Sequence, residues 1–202
     1  MIDMFQLAVF RNKMMCMVPL WLIALSLLGI ANIRAQAILA PPFGMQWGDK
    51  PDKVLDWAQA KKLDAVIKIP GAHPELREIR VSAVSGPLPG TKAYALEARY
   101  HWGALFEVTV HYGAPGMKPK AVKSDFMKLQ LLLAAKHGTF VANHKQDKRE
   151  DGLLRRSLSY HVEPVAGLLL LMAYSEVEDT LRSKESARYS LLYRNENIIP
   201  KE

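Results

Sequence analysis

The first pattern along the chain is an uncharged run, Met14 to Ile33, rich in Leu, Ile and Met. Arg11 and Lys13 precede it, and the small-x-small triplet Ala35-Gln36-Ala37 follows. A basic start, an apolar middle and an A-x-A end are the parts of a cleavable secretory signal. Residues 1–37 are therefore expected to be a signal peptide, and 38–202 a single α+β domain. The alternative is an uncut anchor, since 20 uncharged residues are about enough to span a bilayer. Pro19, Ser26, Gly29 and Asn32 dilute the run and favour cleavage. The basic flank sends the following chain across the membrane in either case.

After the stiff Ala40-Pro41-Pro42, the pattern changes to alternating periods. Asp49 as cap, Pro51 in the first turn and Asp52 near the positive end of the dipole start a helix. It is expected to reach about Leu63, with Val54, Leu55, Trp57 and Ala58 inward. Short strands follow at 65–69 and 78–84, the second with Ile79, Val81 and Ala83 on one face. Gly86-Pro87-Leu88-Pro89-Gly90 turns the chain. Tyr94, Leu96, Ala98 and Tyr100 share one face, and Phe106, Val108, Val110 and Tyr112 another. A short loop at Trp102-Gly103 makes these two runs an antiparallel hairpin.

A second helix is expected from about Lys120 to His137, with Val122, Phe126, Leu129 and Leu133 as its stripe and Gly138 as its stop. A polar, solvated loop around Lys145 to Asp151 comes next. Leu158, Tyr160 and Val162 alternate with Ser157, Ser159 and His161; Pro164 to Gly167 turns, and Leu168 to Tyr174 returns. That return is apolar on both faces and belongs inside the sheet. Tyr189, Leu191 and Tyr193 form a last strand. Helix followed by three or four strands thus occurs twice, over 43–118 and 119–197. The list predicts an antiparallel meander with helices packed on one face, compatible with two helix-plus-meander units.

Composition is ordinary for a globular chain, 50% apolar and 23% charged. The only cysteine, Cys16, lies in the leader, so the domain has no thiol chemistry and rests on its core alone. Of 27 bases and 20 acids, three and one fall in the leader, leaving a net charge of +5. That balance suits anionic surfaces in general. It is too dispersed to indicate nucleic acid, and no N-x-S/T sequon argues for a eukaryotic secretory route.

Each group that could be reactive has a structural explanation. His101 and His111 lie at opposite ends of the predicted hairpin, about 30 Å apart at the strand rise, too far to share a metal. All six, His73, His101, His111, His137, His144 and His161, read as surface or loop residues. Ser85, Ser183 and Ser186 sit in no nucleophile elbow or S-x-x-K helix start. Asp49 and Asp52 are explained by capping, and Gly44 and Gly48 are not followed by the rest of a phosphate loop. The tyrosines read as strand core with hydroxyls at the rim, and Trp47 and Trp102 as core. No catalytic, cofactor-binding or metal-binding residue is singled out, and no cofactor is expected.

Gly44-Met45, Gly48 and then Val54 early in an amphipathic helix resemble the opening of small envelope domains of the SmpA/OmlA type and of the related β-lactamase-inhibitor-like domains. The resemblance covers about 20 residues. The chain departs from the lipoprotein pattern by lacking a lipid-bearing Cys after the leader, and has Leu63-Asp64-Ala65 where Gly-x-Pro usually follows the helix. The resemblance implies an α+β fold and a binding role, and it assigns no site residue. The expectation is an exported, periplasmic or extracellular domain of the bacterial envelope that binds a protein or envelope component, without catalysis and without nucleic acid. It meets a membrane only if the leader stays uncut. The alternative is an envelope hydrolase whose site is assembled from residues distant in sequence.

Overall fold

The structure is a computed structural model that describes residues 39–199. The expected signal peptide, its cleavage triplet and Cys16 lie outside the described residues. The elements in order are α1 (Pro51–Ala60), β1 (Asp64–Lys68), β2 (Leu76–Ser82), β3 (Ala95–His101) and β4 (Ala104–Tyr112), followed by α2 (Pro119–His137), β5 (Val141–Glu150), β6 (Leu153–Val165), β7 (Leu168–Asp179) and β8 (Lys184–Asn195). A 3-10 turn, Glu196–Ile198, follows the last strand. The fold class is α+β: eight antiparallel strands form one sheet in the order β1-β2-β3-β4-β8-β7-β6-β5. Neighbours in sequence pair throughout except at one seam, where β4 meets β8 with Val110 opposite Leu191 and His111 opposite Ser190.

Helix α1 starts at Pro51, whose missing N–H is one the first turn leaves unused, with Asp52 beside it. The expected cap is displaced by one residue. Lys50 holds the cap position and gives no side-chain bond. Asp49 instead accepts from the Gln46 N–H at 2.7 Å, closing the turn that precedes the helix. Val54 and Ala58 are buried against Ile79, Val81, Leu96, Ala98, Val108 and Val110. Helix α2 runs to His137, and Gly138 ends it at φ 101 with its N–H on the Ala134 carbonyl. Val122 and Phe126 pack with Met172, Tyr174, Tyr189 and Leu191, while Tyr112, Leu133, Phe140 and Tyr193 touch both clusters. Each fully buried aliphatic or aromatic side chain here contributes about 1.5–3 kcal/mol.

Three expectations are corrected. Lys145 to Asp151 is mostly not a loop: β5 pairs with β6 from Val141 to Glu150, at the sheet edge, with every residue exposed. A strand bonded along one side only, with both faces wet, has no need of apolar alternation, and its charges discourage further pairing. Phe106 does not share the face of Val108. The register skips from Arg99 opposite Glu107 to Tyr100 opposite Leu105, so a bulge puts Leu105 in the core and leaves Phe106 beneath the Arg99 guanidinium, 5.8 Å from the ring centre. Trp102 is 75% exposed in the two-residue β3–β4 turn, where it and Gly103 adopt φ 48 and φ 76. Trp47, by contrast, is buried and donates its indole N–H to the Leu39 carbonyl at 2.7 Å.

Candidate functional site

Strand alternation sends Leu96, Val108, Val110, Leu191 and Met172 into the apolar clusters and their neighbours to the opposite face. On that face the central residues are small or hydroxylated: Ser157 stands opposite Ser175, and Ser159 opposite Ala173. Ala173 in turn stands opposite Ser190, and Ser175 opposite Arg188. Short side chains on three adjacent strands leave a depression, and longer ones wall it. A trough of about 510 Å³ results, lined by Arg80 of β2, Glu97 of β3, His111 of β4, the β6–β8 residues just named and His144 of β5. Seven of the eight strands contribute, so the sheet is strongly curled around it. A second cavity of about 520 Å³ continues it toward the Gly113–Met117 loop, sharing Tyr94, Ser175 and Arg188 with the first.

The walls carry an ordered set of charges. Arg80 Nη1 bonds Glu97 Oε1 across β2 and β3. His111 Nε2 stands 3.2 Å from Glu97 Oε2. Contact with His111 and the Arg80 charge hold the Glu97 carboxyl down to about 2, against a desolvation that acts the other way. His111 is thus a largely enclosed strand residue in contact with a carboxylate, contrary to the surface or loop position expected for it. The Tyr94 ring leans on His111 with centroids 6.0 Å apart. Tyr94 lies one residue before β3 and turns into the trough, where alternation with Leu96 had placed it in the core.

Next to this trio runs a second charge relay. Glu107, 3% exposed, is reached from β3 by Arg99 Nη1 at 3.2 Å and from β8 by Arg194 Nη2 at 2.6 Å. It ties the seam strands together on the same face. Arg188 differs from these arginines in having no acidic group within ion-pair distance among the described residues. Burial pushes the Tyr174 and Tyr189 hydroxyls up, and Tyr174 donates to Glu176 Oε2 at 2.8 Å.

Other residues weighed from sequence lie apart from the trough. His101 and Trp102 are at the β3–β4 turn with rings 6.3 Å apart, and His73 contacts Glu75 at 3.1 Å. Ser85 and Ser183 line neither cavity, and Ser186 lines only the second. Among the described residues no group of three or more His, Cys, Asp or Glu is placed to hold a metal, and no helix is long and apolar enough to cross a membrane. The trough itself had one signal in the sequence, the Ser157-x-Ser159-x-His161 alternation. Its other walls come from separate strands, from Arg80 of β2 to Ser190 of β8, and have no local signature. Compared with known proteins, the chain matches no family model, no curated protein and no solved structure.

Proposed function

We propose that the chain is an exported, non-enzymatic binding domain of the bacterial envelope, whose protein or envelope ligand lies in the curled sheet's open trough. In this reading two helix-plus-meander units, 43–118 and 119–197, stand side by side with both helices on one sheet face. The other face is left to the ligand. Support for that arrangement comes from the seam register, in which Val110 and Leu191 sit opposite each other and belong to the clusters of α1 and α2 respectively. The likeness of the opening segment to SmpA/OmlA-type and β-lactamase-inhibitor-like domains points the same way, toward binding. The observation that carries the reading is the trough itself: an open cavity of about 510 Å³ with a small, hydroxylated floor. Sites of this size that gather a few convergent polar groups are where ligands bind.

The test fills the floor. Envelope extract is passed over immobilised wild-type chain and over Ser190→Trp, and retained material is compared. Retention that depends on an open floor supports the reading; equal retention by both proteins sinks it. Export is tested separately by N-terminal sequencing of the protein from its native envelope, where a start at Ile38 is expected.

The hydrolase alternative has one observation in its favour. His111, Glu97 and Ser190 share the trough although they come from separate strands. Arg80 already holds the Glu97 carboxylate, however, and among the described residues no serine hydroxyl bonds an imidazole. A nucleophile needs its base within hydrogen-bond reach. Ester or amide turnover abolished by Ser190→Ala would reverse the preference.

A further inference from the structure

Resting on the binding reading, we infer that the trough takes an acidic oligosaccharide: an extended, polyhydroxylated chain with an anionic group that Arg188 meets. Three features of the site select this chemistry over others.

The floor comes first. Ser157, Ser159, Ser175 and Ser190 project from neighbouring strands around Ala173. Same-face side chains on adjacent strands stand about 4.8 Å apart, so the hydroxyls form a grid. Each is both a donor and an acceptor. Such a grid matches a ligand that carries many hydroxyls of its own. It gives little to a peptide, whose recognition on a sheet needs pockets for alternate side chains.

Charge is the second feature. The acidic group on the wall, Glu97, is engaged by Arg80 and faces His111, so it does not present a free negative charge to the ligand. Arg188 stands where the two cavities join, is exposed, and has no ion-pair partner among the described residues. Glu185 of the same strand also lines the second cavity and forms no ion pair with Arg188. A guanidinium is suited to bidentate contact with a carboxylate or phosphate.

The third feature is shape. The two cavities of about 510 and 520 Å³ are open to solvent and share Tyr94, Ser175 and Arg188 as common walls, so a chain longer than one ring has room to lie across them. Tyr94 stands where they meet and offers an aromatic wall. A single-stranded nucleic acid would need successive stacking faces and a basic groove along its backbone. Here Tyr174 and Tyr189 are buried in the α2 cluster, and among the described residues the half-exposed stacking face and unpaired base on offer are Tyr94 and Arg188.

The experiment is calorimetric titration of the full chain with tetragalacturonic acid, with a phosphorylated mannose tetrasaccharide, with neutral galactotetraose and with tetraglutamate. Binding of one acidic sugar at least tenfold tighter than galactotetraose and tetraglutamate is expected, and the tighter acidic sugar identifies the anion. Arg188→Gln should weaken that binding at least tenfold, and Tyr94→Ala should weaken both acidic and neutral sugars. Thermal melts of both variants, which alter exposed or half-exposed side chains, verify that the fold is kept. Absence of binding by both acidic sugars, or undiminished binding by Arg188→Gln, overturns the inference, as does tetraglutamate binding as tightly as the acidic sugar. If floor-dependent retention of an envelope component survives alongside that failure, the sugar assignment falls and the binding reading stands. If retention fails too, both fall.

Discussion

Glu107 and Arg194, 87 positions apart, meet side-on: Nε lies 2.7 Å and Nη2 2.6 Å from the same carboxylate oxygen. Arg99 approaches the other oxygen at 3.2 Å, so one carboxylate on β4 joins β3 to β8. Removing it leaves two guanidinium groups facing each other at the seam. Glu107→Ala should therefore destabilise by about 2–3 kcal/mol, the buried-pair cost reduced because both arginines are about one third exposed. Urea unfolding measures it, and a change under about 0.5 kcal/mol would refute the seam role.

Glu97 sets an acid limit. Its folded-state pKa of about 2 lies below the ordinary 4.5, so the group stabilises the fold above pH 4.5. That contribution is lost as pH falls from 4.5 toward 2. Wild-type stability, followed by urea midpoint, should drop over this window, and Glu97→Gln should show a shallower drop. Parallel profiles would mean that the Arg80 and His111 contacts do not persist in solution.

Phe126 is fully buried, in ring contact with Tyr160, Tyr174 and Tyr189. Phe126→Ala should cost about 3–5 kcal/mol. Val108→Ala, also at 0% exposure, should cost less, about 1–3 kcal/mol, because fewer methyl groups leave. Leu131, exposed on the same helix as Phe126, is the control, and Leu131→Ala should be near neutral. Comparable losses at Leu131 and Phe126 would show the helix turned the other way.

Gly113 leaves β4 at φ +89, and a Cβ there would stand 2.7 Å from the Ala187 carbonyl oxygen and 2.8 Å from the Arg188 Cα. Both obstacles are backbone, so neither can swing aside. Gly113→Ala should lower stability by about 2 kcal/mol or more through strain and displacement of β8. It should also disturb Arg188, which the same strand carries. Gly44, with φ +75 and nothing within 4 Å, bears only the backbone penalty, so Gly44→Ala should cost less. Reversal of this order in thermal melts would contradict the close approach.

The hairpin at Leu96 to Val110 was legible because alternation and a short loop at Trp102-Gly103 agree there. Helix α2 was legible for the same reason: a spaced stripe ending on glycine. Strand β5 was not, because an edge strand wet on both faces has the composition of a loop. Phe106 was misplaced because one extra residue at Arg99/Tyr100 changes the face without changing the sequence pattern. His111 and Tyr94 were read singly. Their surroundings depend on strands that meet them only when the sheet curls, and no local spacing records that event.

The seam between β4 and β8 has a thermodynamic consequence. It joins stretches some eighty positions apart, and closing so long a loop carries an entropy that neighbouring strands do not face. Serines from one side and the histidine–carboxylate wall from the other become a cavity only once that closure is made. A ligand of that cavity would recognise the completed chain alone, and its concentration would shift the unfolding equilibrium of the whole sheet.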